Sequence, residues 1–429
     1  MSDTPRENCT LDSSSSTAQR PSPQESQTAP VSGGIPPVVS LCGAFFFIFL
    51  GTGALQQFVL PILKDRAGMS DGLSTATFAC VYLGGVAFLS VYGYVFHKLR
   101  ERWCVVVGTL MYTLFPAALL LWPSPAVALT AAILWGFGAE LLWATGPTQV
   151  INASQRSRYG TTSGLFQSAT YSGQMLGVIL LGTLLSSYSD PARGQVALLV
   201  ASFGLSLLGN LMALTIRVKP KVLPPARLSD ALAALRPLAG RYLVALSVAN
   251  YLGWGLLLTT LTLLISDLGA GNKLHWIVLP YYAGRLLVAW AAGHASDKVG
   301  RERVMLLGFL LGTSGLVVAS LWPTITVISV VSALLGMQSA MVSVASTAAV
   351  GDYIPQDQRH LVFAGTNAWG YLTAGVTMIG SQFLRQRYAG FAPSLLIFAG
   401  FYGACAILVT RMRAALRHDA TGVQPSTQA

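Results

Sequence analysis

The sequence predicts an all-α membrane protein with twelve transmembrane helices arranged as two parallel six-helix repeats. The chain has 429 residues, of which 53% are hydrophobic and only 10% are charged, whereas soluble proteins carry about 25% charged residues. The apolar residues come in blocks of about 20, the length that crosses a hydrocarbon core about 30 Å thick. An internal repeat and an uneven distribution of basic residues support the same prediction.

Twelve apolar segments are predicted to span the membrane. Glycine and proline are frequent within them, which membrane helices tolerate because neighbouring groups satisfy the freed backbone positions. The predicted spans are 38–63, 74–96, 103–122, 125–147, 161–185, 196–216, 241–266, 274–295, 304–322, 325–350, 361–384 and 389–410. Six spans in each half give both halves the same orientation, as a parallel repeat requires.

The internal repeat has a period of 200 residues and needs no gap. Gly93-Tyr-Val-Phe-His-Lys aligns with Gly293-His-Ala-Ser-Asp-Lys, and Trp122-Pro123 aligns with Trp322-Pro323. Matches of Leu, Ala or Gly are common in so apolar a chain, but a shared Trp-Pro in the same register is harder to obtain by chance. The repeat predicts two similar halves, with the functional residues between them.

Basic residues are concentrated in alternate loops. The loops after spans 2, 4, 6, 8 and 10, together with the C-terminal tail, hold 18 of the 27 lysines and arginines, counting Arg241 at the edge of span 7, and the opposite loops hold six. This asymmetry is typical of cytoplasmic loops and predicts a multi-pass protein with both termini in the cytoplasm. The cell (inner) membrane is the default expectation, because the sequence shows no organelle signal. The net charge of +11 is therefore attributed to membrane orientation, and no nucleic-acid partner is predicted.

Composition also divides the chain into regions. The first 36 residues are rich in Ser, Thr, Pro and Gln, and such a segment buries too little apolar surface to offset its ordering entropy. The linker between the halves contains leucines at helical spacing after Ser229, which fits either a short amphipathic helix on the inner leaflet or a solvated linker with one helical turn. The predicted regions are a disordered cytoplasmic tail at 1–36, a six-helix bundle at 37–216, a cytoplasmic linker at 217–240, a second six-helix bundle at 241–411 and a cytoplasmic tail at 412–429.

The loop after span 8 carries a motif with family resemblance. It reads Gly293-His-Ala-Ser-Asp-Lys-Val-Gly-Arg-Glu-Arg and resembles the G-x-x-x-D-x-x-G-R-[KR] loop of the major facilitator superfamily, except that Glu302 replaces a basic residue. The resemblance implies alternating access, a central cavity lined mainly by spans 1, 4, 7 and 10, and a gating role for this loop. The gating residues it implies are Gly293, Asp297, Gly300 and Arg301.

The first copy of this motif is degenerate. His97 stands at the position of Asp297, Arg100 at that of Gly300, and Glu101 at that of Arg301. The sequence therefore leaves the gating contact of the first half open.

Two formally charged residues lie inside the spans, away from their edges. A charge at the centre of a bilayer costs about 2.5–3.5 kcal/mol on insertion scales, so such residues usually face the protein interior or a wet cavity. Arg285 is a candidate for binding a carboxylate or phosphate, because its planar fork matches those groups. Glu140 is a candidate proton-coupling residue, because burial favours the neutral form of a carboxyl group. Either residue could instead be structural, and the two could pair with each other.

Polar and aromatic side chains on the spans expected to line the cavity form the predicted substrate site. Taken singly, each could instead bond a neighbouring helix or lie in an interfacial belt. As a group with one arginine, they favour a polar, anionic or zwitterionic substrate. The predicted substrate-binding residues are Gln56, Gln57, Asn250, Trp254, Tyr281, Arg285, Gln338 and Asn367.

These observations predict a gradient-driven secondary transporter of a small organic solute, with proton coupling as an added hypothesis. The sequence contains no ATP-binding loop, nucleophile–base grouping or metal-ligand spacing, so an enzyme, a cofactor and a metal site are not predicted. The expected partners are a small-molecule substrate, protons and the lipid bilayer. The alternatives are a non-transporting receptor or regulator on the same fold and an efflux transporter of amphipathic compounds.

Overall fold

The computed structural model describes residues 37–217, 227–388 and 390–422. The predicted tail 1–36, part of the linker and the end of the C-terminal tail lie outside these residues.

Within the described residues the chain forms fourteen α-helices. They are α1 (Pro37–Ile48), α2 (Val59–Ala67), α3 (Asp71–Leu121), α4 (Pro125–Asn152), α5 (Tyr159–Ser186), α6 (Pro191–Leu214), α7 (Leu228–Ala234), α8 (Leu238–Gly255), α9 (Thr262–Asp267), α10 (Leu274–Val299), α11 (Arg301–Leu321), α12 (Ile325–Tyr353), α13 (Arg359–Tyr388) and α14 (Ala392–Gly422). Helices α1 and α2 join through a wide helical turn at Phe49–Gly53 and a short 3₁₀ turn at Gln56–Phe58, and α8 and α9 join through a wide turn at Leu256–Leu261.

These helices confirm the twelve-span prediction. In the described part of the chain, nine helical segments are long and apolar enough to cross a membrane, and the longest, Gly72–Leu121, bends at Arg100 and so contains spans 2 and 3. Helices α10 and α13 have 26 and 30 residues. At about 1.5 Å per residue each is also long enough to cross. The protein is a multi-pass, all-helical membrane protein.

The repeat is visible in how the helices begin and cross. Ser124 and Thr324 accept hydrogen bonds from the backbone N–H groups of Val127 and Val327 at the starts of α4 and α12, as N-capping residues do. A Cβ at Gly136 would clash with the carbonyl oxygen of Val81, and a Cβ at Gly336 would clash with that of Tyr281. Each half therefore uses the same glycine to bring two helices into backbone contact.

The loop copies keep the same backbone turn despite their different sequences. Gly300 has φ 99° and ψ 149°, and Arg100 at the equivalent position has φ 61° and ψ 167°. This region of backbone conformation is essentially reserved for glycine, and a residue with a side chain there is strained by about 1–3 kcal/mol. The first half has therefore kept the turn and lost the residue that suits it.

Arg100→Gly is expected to raise the stability of the protein. Relief of about 1–3 kcal/mol of strain exceeds the additional chain entropy of a glycine, about 0.5–1 kcal/mol. The midpoint of thermal unfolding in detergent should therefore rise. Arg303→Gly is the control, because Arg303 lies within α11, where glycine lowers helix stability. An unchanged or lower midpoint for Arg100→Gly would show that Arg100 is not strained.

The linker contains the predicted short helix, α7. Its residues Ala231 and Ala234, with Leu235 directly after it, are buried in an apolar cluster shared with α3 and α13, while Leu228 and Leu232 remain exposed. A Cβ on Gly365 of α13 would come within 2.7 Å of the Leu235 side chain. One face of this helix therefore packs against the bundle, where the sequence had suggested the leaflet or solvent.

Candidate functional site

A cavity of about 130 Å³ lies between the two halves. The aromatic residues lining it come from both halves and are Phe49, Tyr82, Tyr112, Trp135 and Trp143 from the first and Tyr251, Trp254, Phe363 and Tyr371 from the second. The predicted substrate residues Gln56, Asn250, Trp254, Arg285 and Asn367 also line it. The structure thus brings five of the eight predicted residues to one cavity.

Arg285 of α10 is 8% exposed and is held by the first half of the protein. Its guanidinium carbon lies 3.8 Å from the ring centroid of Tyr171 and 5.2 Å from that of Trp254. Its Nη1 donates to Oε1 of Gln174 at 3.1 Å, while its buried Nε has no hydrogen-bond partner. The aromatic faces stabilise the positive charge by cation–π interaction. One guanidinium donor, the N–H group of Nε, remains without an acceptor.

No acidic side chain in the described part of the chain forms an ion pair with Arg285. The pairing with Glu140 suggested by the sequence is therefore not formed in this structure. A buried cation without a counter-ion is costly. An anion entering the cavity would supply the missing charge.

Glu140 of α4 is fully buried, and both carboxyl oxygens lack a hydrogen-bond partner. One turn earlier, Gly136 packs against Gly85 of α3. A Cβ on Gly85 would clash with the ring of Tyr371 of α13. Glu140 therefore lies close to the crossing of α3, α4 and α13, where the two halves meet, and outside the cavity lining.

The other three predicted substrate residues lie outside the cavity lining. Gln57 donates to the hydroxyl group of Tyr282 at 2.6 Å and links the two halves. Tyr281 packs behind the cavity, with its ring centroid 5.5 Å from the Arg285 guanidinium carbon. Gln338 lies inside the second half, beside Gly312 of α11.

The motif loop joins the halves at the end of the bundle predicted to be cytoplasmic, called the inner end below. Asp297 accepts hydrogen bonds from the backbone N–H groups of Gly160 and Thr161 at 2.9 and 2.7 Å and from the Thr161 hydroxyl at 2.6 Å. Arg301 pairs with Asp297 at 2.5 Å and with Asp352 at 3.0 Å. Gly293 packs against the backbone of Gly160. Three of the four predicted gating residues, Gly293, Asp297 and Arg301, thus lie together at the start of α5, and Gly300 forms the turn between α10 and α11.

Hydrogen bonding also shifts the titration of Asp297, which lies beyond the predicted span 274–295. Partial burial alone would raise the pKa of its carboxyl group, but the bonds from Thr161, Arg301 and Gly160 outweigh burial, so the pKa lies below its usual value. The contact with α5 is therefore favoured at neutral pH, where this carboxyl group is ionised.

A family model confirms what the motif suggested. The model of the Major Facilitator Superfamily matches residues 41–247 and again 243–428. The chain belongs to the Major Facilitator Superfamily. It is therefore a membrane transporter of this superfamily. The family model matches twice because the chain contains two repeats.

Solved structures of this superfamily share the fold. The human organic anion transporter MFSD10 aligns with a TM-score of 0.69, covering 88% of this chain and 100% of that one, at 14% identity. The proton:xylose symporter XylE gives a TM-score of 0.68, covering 87% and 94%, at 14% identity. FucP in its outward conformation gives 0.66, covering 88% and 99%, also at 14% identity. At such identity the likeness concerns the fold alone.

Two sequence relatives come from Mycobacterium tuberculosis. They are described as uncharacterized MFS-type transporters, MT1926 and Rv1877, and each is 28% identical over 107 residues. Each match covers 25% of this chain and only 16% of the relative.

Several residues of this superfamily member's site were not found by sequence reasoning. Gln174 and Tyr171 hold Arg285, and Tyr82 accepts a hydrogen bond from Nε1 of Trp254 at 2.7 Å. One signal was present in the sequence: Gln167 and Gln174 are seven residues apart on α5, so two helical turns place them on the same face.

Arg359 at the start of α13 is a further missed contact at the inner end. It donates to Oδ1 of Asn152 at 3.0 Å and to the Tyr159 hydroxyl at 3.2 Å, both in the first half, and to the carbonyl oxygen of Gly351 at 2.8 Å. Nearby, His360 stacks on Phe96 of α3 with ring centroids 4.5 Å apart. The degenerate first-half motif is thus accompanied by a second set of contacts between the halves.

Proposed function

We propose that this transporter moves a small organic anion through the cavity between its halves, driven by a gradient. The observation that carries the proposal is the buried, unpaired guanidinium of Arg285 in the cavity wall. The guanidinium has no acidic partner among the described residues and its Nε is buried without a hydrogen bond. A carboxylate or phosphate that reaches it would form charge-assisted hydrogen bonds, which are about twice as strong as neutral ones.

Substrate binding at Arg285 would act on the contact between the halves. Arg285 belongs to α10, whereas its partners Gln174 and Tyr171 belong to α5. An anion that competes for the guanidinium weakens this contact at the centre while Asp297 and Arg359 hold the inner end. Rocking of the two bundles about a central site is how such repeats give alternating access.

Glu140 is the proposed proton-coupling residue. A fully buried carboxyl group without hydrogen-bond partners is stable there in its neutral, protonated form. Its ionised form needs water or a new partner, and so favours separation of α4 from α13. Proton release would then be linked to movement of the halves, and symport of one proton with a monovalent anion would be electroneutral. The proposed orientation places both termini in the cytoplasm of a cell (inner) membrane.

A charge-matched panel tests the proposed function. The purified protein is reconstituted into liposomes, and small carboxylates are compared with the corresponding neutral amides for uptake and for thermal stabilisation, which follows specific binding. We expect carboxylates to be bound and taken up and the amides to be inactive. Equal activity of the amides would contradict the anion site, and binding without any uptake would indicate a receptor on the same fold.

Glu140→Gln is expected to abolish uphill accumulation driven by a pH gradient while sparing counterflow exchange. Glutamine keeps the shape of the protonated side chain but cannot ionise, so the variant should resemble a permanently protonated transporter. Asp357→Asn, at an exposed position of the inner loop, is the control and should accumulate substrate normally. Normal accumulation by Glu140→Gln across the same gradient would eliminate Glu140 as the coupling residue.

A further inference from the structure

We infer that the transported anion carries a single aromatic or heteroaromatic ring. This inference rests on the anion site proposed for Arg285 and concerns the part of the substrate that lies beyond its charged group. Three properties of the cavity support it: the composition of its walls, the way its polar side chains are engaged, and its size.

The cavity walls present aromatic rings from both halves. Trp135, Trp143 and Tyr112 line it in the first half, and Trp254 and Tyr251 line it in the second. Aromatic side chains attract a flat ring through offset stacked and edge-to-face contacts, which contribute beyond the burial of apolar area. A ring bound between the halves would meet such partners on both sides.

These aromatic side chains are held in position by one another. The indole Nε1 of Trp254 donates to the Tyr82 hydroxyl at 2.7 Å. The ring of Tyr371 stands edge-on to Tyr251, with an interplanar angle of 85° and centroids 5.1 Å apart, and lies 6.0 Å from Tyr82. The walls are therefore ordered before substrate binds, which lowers the entropy cost of binding a rigid ring.

Some polar side chains of the cavity bond each other, and others keep unpaired polar atoms. Gln174 accepts from Arg285, Gln167 donates to Ser343 at 3.3 Å, and Asn250 accepts from Ser339 at 3.1 Å. Apart from Arg285, five polar atoms of the described lining residues remain buried without partners: Oε1 of Gln56, Oε1 of Gln167, Nδ2 of Asn367, Nε1 of Trp135 and the hydroxyl group of Tyr371. Because a buried donor or acceptor without a partner is costly, these atoms favour a ring that carries polar substituents.

The volume of the cavity limits the size of the ring system. It is about 130 Å³, below the roughly 300–1,000 Å³ typical of sites for drug-sized ligands. One six-membered ring with a carboxylate fits this scale better than a fused polycyclic or extended amphipathic molecule.

Matched ligands test the inference. Benzoate, 4-hydroxybenzoate and nicotinate are each compared with the carboxylate of the corresponding saturated ring and with the corresponding amide, by thermal shift and by competition for uptake. Aromatic pair contacts stabilise binding beyond the burial of apolar area, so two or more such contacts predict saturated acids that bind about tenfold or more weakly. Equal binding of the saturated acids, or no binding by any of the three aromatic acids, would overturn the inference. The amides test the anion site separately: if they bind as well as the acids, the proposed function itself is wrong.

A pair of tryptophan variants provides a second readout. Trp254→Leu should reduce the preference for benzoate over cyclohexanecarboxylate by about threefold or more, because one aromatic wall is lost. Trp290→Leu is the matched control, since Trp290 lies on the same half with 54% of its surface exposed, and it should leave that preference unchanged. A merely structural role of Trp254 would weaken both acids equally, and that result would count against the inference.

Discussion

Arg285→Ala is expected to weaken binding of the transported anion by about one to two orders of magnitude. A hydrogen bond to a charged group contributes about 1.5–3 kcal/mol, and each 1.4 kcal/mol is a tenfold change in affinity. The alanine variant also leaves Gln174 and the face of Tyr171 without their partner. Binding measured by thermal shift and uptake into liposomes should both fall, while the folded protein still inserts into the membrane.

Two further variants separate charge from geometry. Arg285→Lys keeps a positive charge but lacks the planar fork that stacks on an aromatic ring and offers parallel donors, so it should restore only part of the affinity. Arg193→Ala removes an exposed arginine, paired with Asp190 at 3.5 Å, and should change nothing measured here. Normal affinity in Arg285→Ala would assign Arg285 a structural role and remove the basis of the proposed function.

The broken symmetry of the repeat was readable in the sequence, and the structure explains it. Arg285 of the second half stands where the first half has Gly85, and Tyr171 stands where the second half has Tyr371. In the structure Tyr171 contacts the guanidinium of Arg285, whereas the Tyr371 ring occupies the space above Gly85. The same crossing of helices therefore forms a cation site on one side and a close-packed contact on the other.

The sequence predicted which residues differ between the two repeats better than it predicted the direction in which each side chain points. Adjacent residues of a helix differ by about 100° in direction, and helices that are apolar on all sides carry no stripe that marks the inner face. Gln338 and Ser339 illustrate this: Gln338 lies inside the second half, and its neighbour Ser339 lines the cavity. The partners of Arg285 and Gln57 were also hidden, because they lie 111 and 225 residues away along the chain.

The motif resemblance identified residues at the contact between the halves at the inner end more reliably than the positions of polar residues identified the cavity lining. Asp297 lies in the last turn of α10, directly before the turn at Gly300. Local residues determine this geometry, so the sequence pattern contains most of the information. The partner of Asp297 is the backbone at the start of α5, at Gly160 and Thr161. Backbone N–H groups at a helix start are present whatever the sequence. The sequence of α5 therefore contains no pattern that predicts this contact.

Asp297→Ala is expected to open the inner end of the transporter. The Asp297 side chain is 9% exposed and accepts three hydrogen bonds from the first half. Hydrogen bonds to a charged group contribute about 1.5–3 kcal/mol each, and about 3 kcal/mol, the low-end sum for two such bonds, corresponds to roughly a hundredfold change in a population ratio. Arg359 retains its own contacts with Asn152, so the effect should lie at the low end of this range.

Distances between spin labels at the inner end measure this opening. Labels at Arg156→Cys and Lys298→Cys, both exposed positions, are compared with and without Asp297→Ala in a variant lacking the five native cysteines. We expect a longer distance to become the major population in Asp297→Ala. Because the pKa of Asp297 is lowered in the closed contact, acidification below that pKa should shift the unsubstituted protein in the same direction, whereas Asp297→Ala should not respond through this group.

Asp267→Asn, which removes the ionic partner of Arg385 at the opposite end of the bundle, should leave the inner distance unchanged. If Asp297→Ala also leaves that distance unchanged, the Asp297 contact does not control the inner gate, and Arg359 with the stacked pair of His360 and Phe96 would be sufficient to keep it closed.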